Sequence, residues 1–247
     1  MRRKKFLGQN FLNKKKILEE MARVAKLSKK DVVLEVGAGL GSLTKILAAR
    51  AKKVIAVEKD RELIPFLKEK FSKEKHVEII EGDILKFENF KLKIGNFKLV
   101  ANIPYYITGN FLRKFLSDNK LRPQEMVIMI QKEVADRILA RDKKESLLSI
   151  SVKAYGKPEF VRKISRGNFS PPPKVDSAII KISGVSNKWF FKNKINEEKF
   201  FEILRLAFQK KRKMLRASIG KIISLPEKFT TKRPEKLSLD DWGEILK

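Results

Sequence analysis

A glycine-rich turn between an apolar run and a helical pattern is the first feature with chemical meaning. The run 32–36 ends in Gly37-Ala38-Gly39-Leu40-Gly41, and glycines there let the backbone approach a ligand without Cβ collisions. Glu58 follows Gly37 by 21 residues, where a carboxylate can accept both ribose hydroxyls of an adenosine moiety. This arrangement suits NAD as well as S-adenosylmethionine. Its G-x-G-x-G spacing, however, departs from the G-x-G-x-x-G of dinucleotide-binding turns. A tight turn without a ligand is the alternative.

Two more polar residues stand at the ends of later apolar runs. Asp83 follows the third run and Asn102 follows the fourth. Ligands of open α/β sheets bind beyond the carboxyl ends of the strands, so Gly37, Glu58, Asp83 and Asn102 are expected to meet in one crevice. Ordinary loop chemistry would also place polar residues after strands.

The tetrad Asn102-Ile103-Pro104-Tyr105 has a rationale for an exocyclic adenine amine, whose lone pair is delocalised into the ring. The Asn102 side-chain oxygen and a carbonyl near Ile103 could accept its two N–H bonds and favour a pyramidal nitrogen. Pro104 would fix the backbone, and Tyr105 would stack an extruded base. The predicted reaction is an in-line displacement on a sulfonium methyl group, driven by positioning.

The elements that position these residues are strands and helices that alternate along the sequence. This alternation predicts a parallel α/β sheet covered by helices on both faces. Residues 143–156 leave helix and strand undecided. Phe160–Ile164 and Ser177–Ile182 flank a proline-braced loop and are expected to pair at the end of the sheet. Predicted strands are 32–36, 54–57, 77–80, 97–101 and 126–130; predicted helices lie near 14–27 (capped by Asn13), 42–51, 61–71, 110–117 and 132–140.

The C-terminal quarter has a helical pattern from Glu197 onward, after a polar stretch, 183–196, that we interpret as a joint. The predicted domains are therefore residues 1–183 and 184–247. Ile203–Lys221 contains seven basic residues and no acidic one. Such a run can be a solvated helix face or a nucleic-acid contact.

The amino-acid composition limits the partners and the types of catalytic site that the protein can have. Lys and Arg number 57 against 29 Asp and Glu, a net charge of +28 that indicates nucleic acid, an anionic membrane surface or a lysine-rich proteome. The absence of cysteine and the single histidine, His76, argue against disulfides, thiolate zinc sites, triads and a metal centre. Neither an apolar run of membrane-spanning length nor a secretory signal is found, so a cytoplasmic protein is expected.

The tetrad, together with Lys4–Leu12 upstream, resembles the rRNA adenine N6,N6-dimethyltransferase family, and within it the small-subunit (16S) branch. The similar segments span nearly the whole chain: 33–44, 81–85, 126–140, 168–180 and 208–219. The resemblance implies an α/β, Rossmann-like class I S-adenosylmethionine-dependent methyltransferase fold with a small C-terminal all-α domain.

The resemblance also implies roles for individual residues. S-adenosylmethionine would contact Asn10, Leu12, Gly37, Gly39, Glu58, Asp83, Ile84 and Asn102. Tyr105 and Phe169 would sandwich the target adenine beside Asn102 and Pro104, although Phe169, next to three prolines, could equally anchor its loop. RNA would contact Lys210, Lys211, Arg212, Lys213 and Arg216.

The implied function is dimethylation of two adjacent adenosines near the 3′ end of 16S rRNA, by a monomer acting on a precursor of the small ribosomal subunit. Two alternatives remain: an Erm-type methyltransferase of large-subunit rRNA, and a non-catalytic assembly or transcription factor on the same fold. Two departures, Tyr106 where relatives often carry Asn or Gln and the stretch Asp142–Leu148, leave substrate detail open.

Overall fold

The computed structural model describes residues 11–12, 14–87 and 94–247, which form two compact units. The first contains the described residues up to Ala135 together with Glu159–Val185. The second contains Asp136–Pro158 and Ser186–Lys247. The chain thus enters the second unit twice, and its final crossing lies two residues beyond the boundary predicted after residue 183.

A seven-stranded sheet organises the first unit, with the order β4-β3-β2-β5-β6-β9-β7. β2 to β6 run parallel, and β9 is antiparallel to β6. The strand order reverses between β2 and β5, which is the topological switch point where open sheets bind ligands. The strands are β1 (Phe11–Leu12), β2 (Val32–Val36), β3 (Lys53–Glu58), β4 (Val77–Glu81), β5 (Lys98–Asn102), β6 (Glu125–Gln131), β7 (Lys157–Ile164), β8 (Phe169–Ser170) and β9 (Ser177–Ser183).

Helices of the first unit pack on the sheet because their apolar residues recur at helical spacing. In α1, for example, Ile17, Leu18, Met21 and Ala22 are buried in a core shared with α2 and the strands. The helices are α1 (Lys15–Val24), α2 (Ser42–Ala48), α3 (Ile64–Lys70), α4 (Thr108–Ser117), α5 (Lys132–Leu139), α6 (Leu147–Tyr155), α7 (Lys188–Asn193), α8 (Glu197–Gln209), α9 (Leu215–Ser218), α10 (Glu227–Thr230) and α11 (Leu239–Ile245).

The predicted alternation of strands and helices is confirmed, including the neighbouring positions of β7 and β9 at one end of the sheet. Two details differ. The cap position of α1 is Lys14, which makes no side-chain cap bond, and the predicted cap Asn13 lies outside the described residues. The undecided segment 143–156 contains helix α6, which begins with a reciprocal capping box between Ser146 and Ser149.

The second unit is helical and has an aromatic centre. Trp189 and Phe190 of α7 pack edge-on against Phe200 of α8, at 5.2 and 5.3 Å between ring centroids. The interpretation of 183–196 as a joint is therefore wrong for α7, because Phe190 belongs to the packed interior of this unit. None of the helices in the described ranges is long and apolar enough to cross a membrane.

Candidate active site

A cavity opens at the carboxyl ends of β2, β3, β4 and β5, on the switch point of the sheet. The segment after each strand contributes to its wall: Gly37–Leu40, Glu58 and Lys59, Gly82–Ile84, and Asn102–Ile107. Parallel strands end at the same edge of a sheet, which is why residues distant in the chain meet here.

The glycine-rich turn forms one side of the cavity. Gly37 has φ +77° and its N–H donates to the Val57 carbonyl at 2.8 Å, which holds the turn against β3. Gly41 has φ +72°, and a Cβ there would stand 2.7 Å from a ring carbon of Phe71. A side chain at Gly41 would thus add backbone strain and push α2 away from Phe71.

Glu58 is held rigidly beneath this turn. One carboxylate oxygen accepts the Gly39 N–H at 2.8 Å, and the other accepts the Asp60 N–H at 2.8 Å. The side chain is 7% exposed. Each oxygen has further acceptor capacity, so the carboxylate can still receive two hydroxyl groups from a ligand.

Asp83 lies in the cavity wall after β4 and forms an ion pair with Lys59, which was not among the predicted site residues. Its carboxylate accepts the Leu85 N–H at 3.0 Å and lies 3.0 Å from Nζ of Lys59. Burial alone would raise the pKa of Asp83, but the bonds from Lys59 and Leu85 lower it below its usual value. The bond to Asp83 in turn raises the pKa of Lys59, so both groups remain charged at neutral pH.

Glu35, inside β2, is a second cavity residue that was not predicted from the sequence. It is 1% exposed, and burial raises the pKa of its carboxyl group to about 8. Its Oε2 atom has no hydrogen-bond partner among the described residues. A carboxylate in a buried strand directly before a glycine-rich turn was the available signal, because such a residue is unusual in a core.

The Asn102-Pro104-Tyr105 segment leaves β5 at the bottom of the cavity. The Ile103 N–H donates to the Met129 carbonyl of β6 at 3.0 Å, so the segment stays attached to the sheet. Pro104, at φ −56°, begins a 3₁₀ turn over Tyr105–Ile107. The Tyr105 hydroxyl is 2.6 Å from the Ser177 hydroxyl of β9, and burial raises the pKa of Tyr105.

The remaining wall comes from a small antiparallel sheet in which β1 pairs with β8. Leu12 stands opposite Phe169 in this pairing, and both line the cavity. The Phe169 ring is 5% exposed and also belongs to the core cluster of the first unit. The ring thus anchors its loop and borders the cavity at once.

Ten predicted site residues therefore line one cavity: Leu12, Gly37, Gly39, Glu58, Asp83, Ile84, Asn102, Pro104, Tyr105 and Phe169. The predicted cofactor contact Asn10 lies outside the described residues. The five predicted RNA-binding residues belong to the second unit and are all exposed. Other wall residues, among them Leu18, Glu35, Leu40, Lys59 and Ile107, were not among the predicted site residues.

Solved structures define the class of this fold. The chain is similar to a dimethyladenosine transferase from Plasmodium falciparum, with a TM-score of 0.82, 30% identity and 96% of both chains covered. It is also similar to the 23S rRNA methyltransferase ErmE, with a TM-score of 0.79, 26% identity and 96% of this chain and 99% of that one covered. The fold is that of a class I S-adenosylmethionine-dependent methyltransferase, as predicted.

Sequence comparisons identify the family. The family model described as "Ribosomal RNA adenine dimethylase" matches residues 1–240. Proteins called "Ribosomal RNA small subunit methyltransferase A" are similar along the chain: 40% identical over 259 residues in Dehalococcoides mccartyi CBDB1, covering 99% of this chain and 88% of that protein. The Fusobacterium nucleatum protein is 38% identical over 256 residues, covering 99% and 96%. The chain belongs to the ribosomal RNA adenine dimethylase family.

The cavity fits S-adenosylmethionine, the methyl donor of this class. That molecule offers a sulfonium, an ammonium, two ribose hydroxyls and an adenine amine, all of which seek acceptors or negative charge. The wall supplies the carboxyl groups of Glu35, Glu58 and Asp83 and the amide of Asn102. Oε2 of Glu35 is buried and has no hydrogen-bond partner among the described residues, so it is a polar atom that a bound ligand can satisfy.

Proposed function

We propose that this protein transfers methyl groups from S-adenosylmethionine to N6 of two adjacent adenosines near the 3′ end of 16S rRNA, giving N6,N6-dimethyladenosine. The observation that carries the proposal is the Asn102–Tyr105 segment, which ends β5 in the same cavity as the acidic cofactor wall. Membership of the ribosomal RNA adenine dimethylase family supports it, and the small-subunit specificity in the name of the 40%-identical relatives favours 16S over 23S rRNA.

In this proposal, the cofactor lies across the carboxyl ends of β2 to β5. Glu58, fixed by the Gly39 and Asp60 N–H groups, receives the ribose hydroxyls, and Gly37 lets the chain approach closely. Asp83, held by Lys59, accepts the adenine amine, with Ile84 packing beside it. When bound, S-adenosylmethionine supplies a methyl group on a positively charged sulfur.

The chain's part in the chemistry is to orient the target amine. The Asn102 oxygen and a neighbouring backbone carbonyl accept its N–H bonds and turn the lone pair out of conjugation, while Tyr105 and Phe169 hold the base by its faces. Each transfer forms an N–C bond and breaks an S–C bond. The nitrogen then carries a positive charge and loses its proton to water, so no strong base is required.

Recognition of the RNA rests on positive charge. Lys210–Lys213 and Arg216 are exposed in the second unit, and phosphate neutralisation by such residues supplies most of the affinity of RNA-binding proteins. We place the action on a precursor of the small ribosomal subunit, in the cytoplasm, by a monomer. The target adenines must be unstacked to enter the cavity, so RNA shape contributes to specificity.

Mass spectrometry of rRNA from cells without this gene tests the proposal. Dimethyladenosine should disappear from small-subunit rRNA only, return with the wild-type gene, and stay absent with Asn102→Ala. The purified Asn102→Ala protein should bind small subunits as the wild type does, because affinity depends on phosphates. A loss confined to large-subunit rRNA would favour the Erm-type alternative, and unchanged methylation would favour a non-catalytic factor.

A further inference from the structure

Helix α7 of the second unit exposes one aromatic ring to solvent. Trp189 and Phe190 pack into the aromatic centre with Phe200, but Phe191 is 74% exposed, more than the other large apolar residues that the described chain exposes. The neighbouring residues Trp189 and Phe190 hold the helix in the interior of the unit, so the backbone of Phe191 is held in place while its ring is exposed.

Three exposed lysines lie within three residues of Phe191 in the chain. Lys188, Lys192 and Lys194 are exposed, and the run Lys188–Lys194 contains no acidic residue. Lys188 lies one helical turn before Phe191, and Lys194, the left-handed C-cap residue of α7, follows Phe191 by three positions. A helix dipole favours cations at its C-terminal end only. It therefore accounts for Lys192 and Lys194 but not for Lys188, the first residue of α7.

These four residues, the α7 patch, are separate from the basic residues that follow α8. The α7 rings contact Phe200, in the first turns of α8, whereas Lys210 follows its last residue. At about 1.5 Å per residue, α8 separates the two by roughly 15 Å along its axis. The second unit thus carries two basic surfaces at different ends of one helix.

We propose that the α7 patch binds an unpaired stretch of rRNA by stacking a base on Phe191 while Lys188, Lys192 and Lys194 contact the flanking phosphates. This inference rests on the proposed function and adds a docking site to it. An exposed phenylalanine alone is ordinary. An exposed ring on a packed helix, with three exposed lysines within three residues, is instead typical of a surface that binds single strands, because every base offers a π face and every nucleotide a negative charge.

Equilibrium binding to small ribosomal subunits isolated from cells lacking the dimethylation tests the patch. Phe191→Ala should weaken binding about 5- to 150-fold, the loss expected for one stacked base, without changing the salt dependence. Phe191→Trp should bind as the wild type does, whereas Phe191→Leu should not. Replacing all three lysines with Gln should reduce the slope of log affinity against log salt by about 2.

Phe66→Ala is the matched control, since Phe66 is an exposed phenylalanine whose ring lies 5.4 Å from a lysine, Lys70, in the first unit. It should leave subunit binding unchanged. Thermal unfolding of each variant checks the fold. Wild-type affinity for Phe191→Ala would overturn the inference, and rescue by Leu as well as Trp would indicate an apolar protein partner instead. Failure of the wild type to methylate small subunits would overturn the proposed function separately.

Discussion

The hydroxyl of Tyr105 lies 2.6 Å from the hydroxyl of Ser177, so the ring proposed to stack the target adenine is tied to β9, two strands away from β5 in the sheet. Ser177 is fully buried, and this bond satisfies its hydroxyl group. Because burial raises the pKa of Tyr105, the phenol stays protonated at neutral pH. We therefore expect the bond to position the ring and to take no part in proton transfer.

Removing the Tyr105 hydroxyl should therefore affect stability more than chemistry. Tyr105→Phe should lower the free energy of unfolding by about 1 kcal/mol and retain methyl transfer, because the stacking face is kept. Ser177→Ala should cost a similar amount, and the double variant little more than either, in a double-mutant cycle by urea unfolding. An inactive Tyr105→Phe protein in single-turnover methylation would show that the hydroxyl acts in the reaction.

Glu58 should contribute to both cofactor affinity and local structure. Glu58→Ala removes the ribose acceptor, worth about 1.5–3 kcal/mol per charge-assisted bond, and leaves the Gly39 and Asp60 N–H groups without their partner. Calorimetry should show a large loss of S-adenosylmethionine affinity, and thermal unfolding a lower Tm. Glu69→Ala, which removes an exposed carboxylate of α3, is the control and should change neither. Equal affinities for wild type and Glu58→Ala would exclude Glu58 from the site.

Glu35 should make the stability of the ligand-free protein fall with rising pH. Its carboxyl group has a pKa of about 8 when folded against 4.5 ordinarily, so between these values the unfolded chain ionises while the folded one stays protonated. Stability from this group is complete below about pH 4.5 and is lost as the pH rises to about 8, by about 1 kcal/mol per pH unit. Urea unfolding of wild type and Glu35→Gln from pH 5 to about 8 measures the difference. Parallel profiles would contradict it.

The basic residues after α8 should set the salt dependence of RNA binding. Reversing Lys210, Lys211 and Lys213 to Glu should weaken binding of small subunits and reduce the slope of log affinity against log salt by about 2 to 3, without changing cofactor affinity. The matched control reverses Lys52, Lys73 and Lys75, exposed lysines before β3 and β4, at the sheet edge opposite the cavity. If both triple variants lose the same affinity, net charge and not this surface is responsible.

Periodicity predicted the sheet because its strands are apolar runs that end in polar or glycine residues. It could not decide α6, where Ser149, Ile150, Val152 and Ala154 are all buried. A helix buried on most sides lacks the alternation of apolar and polar faces on which such predictions depend. The polar, glycine-containing stretch 183–196 favoured a joint, and the three aromatic residues within it are too few to show the helical period of α7.

Site residues could be predicted where they end a strand, because the parallel topology brings the carboxyl ends of the strands to one edge of the sheet. Glu35 was missed because it lies within β2 and belongs to a run that otherwise has the pattern of core residues. Lys59 was missed because its partner Asp83 is distant in the chain, and no spacing rule connects the ends of two neighbouring parallel strands. Pairings of this kind require the three-dimensional structure.

The pairing of β1 with β8 has a consequence for synthesis of the chain. Phe11 and Leu12 can pair with Ser170 and Phe169 only after roughly 160 further residues have been synthesised. This wall of the cavity therefore cannot form earlier. At about 5–20 residues per second, that interval is on the order of 10–30 s on the ribosome. A nascent chain that has completed β2 to β6 therefore has the glycine-rich turn and the acidic residues but an open cavity. Competence for methyl transfer is acquired late in translation, when the two ends of the first unit meet.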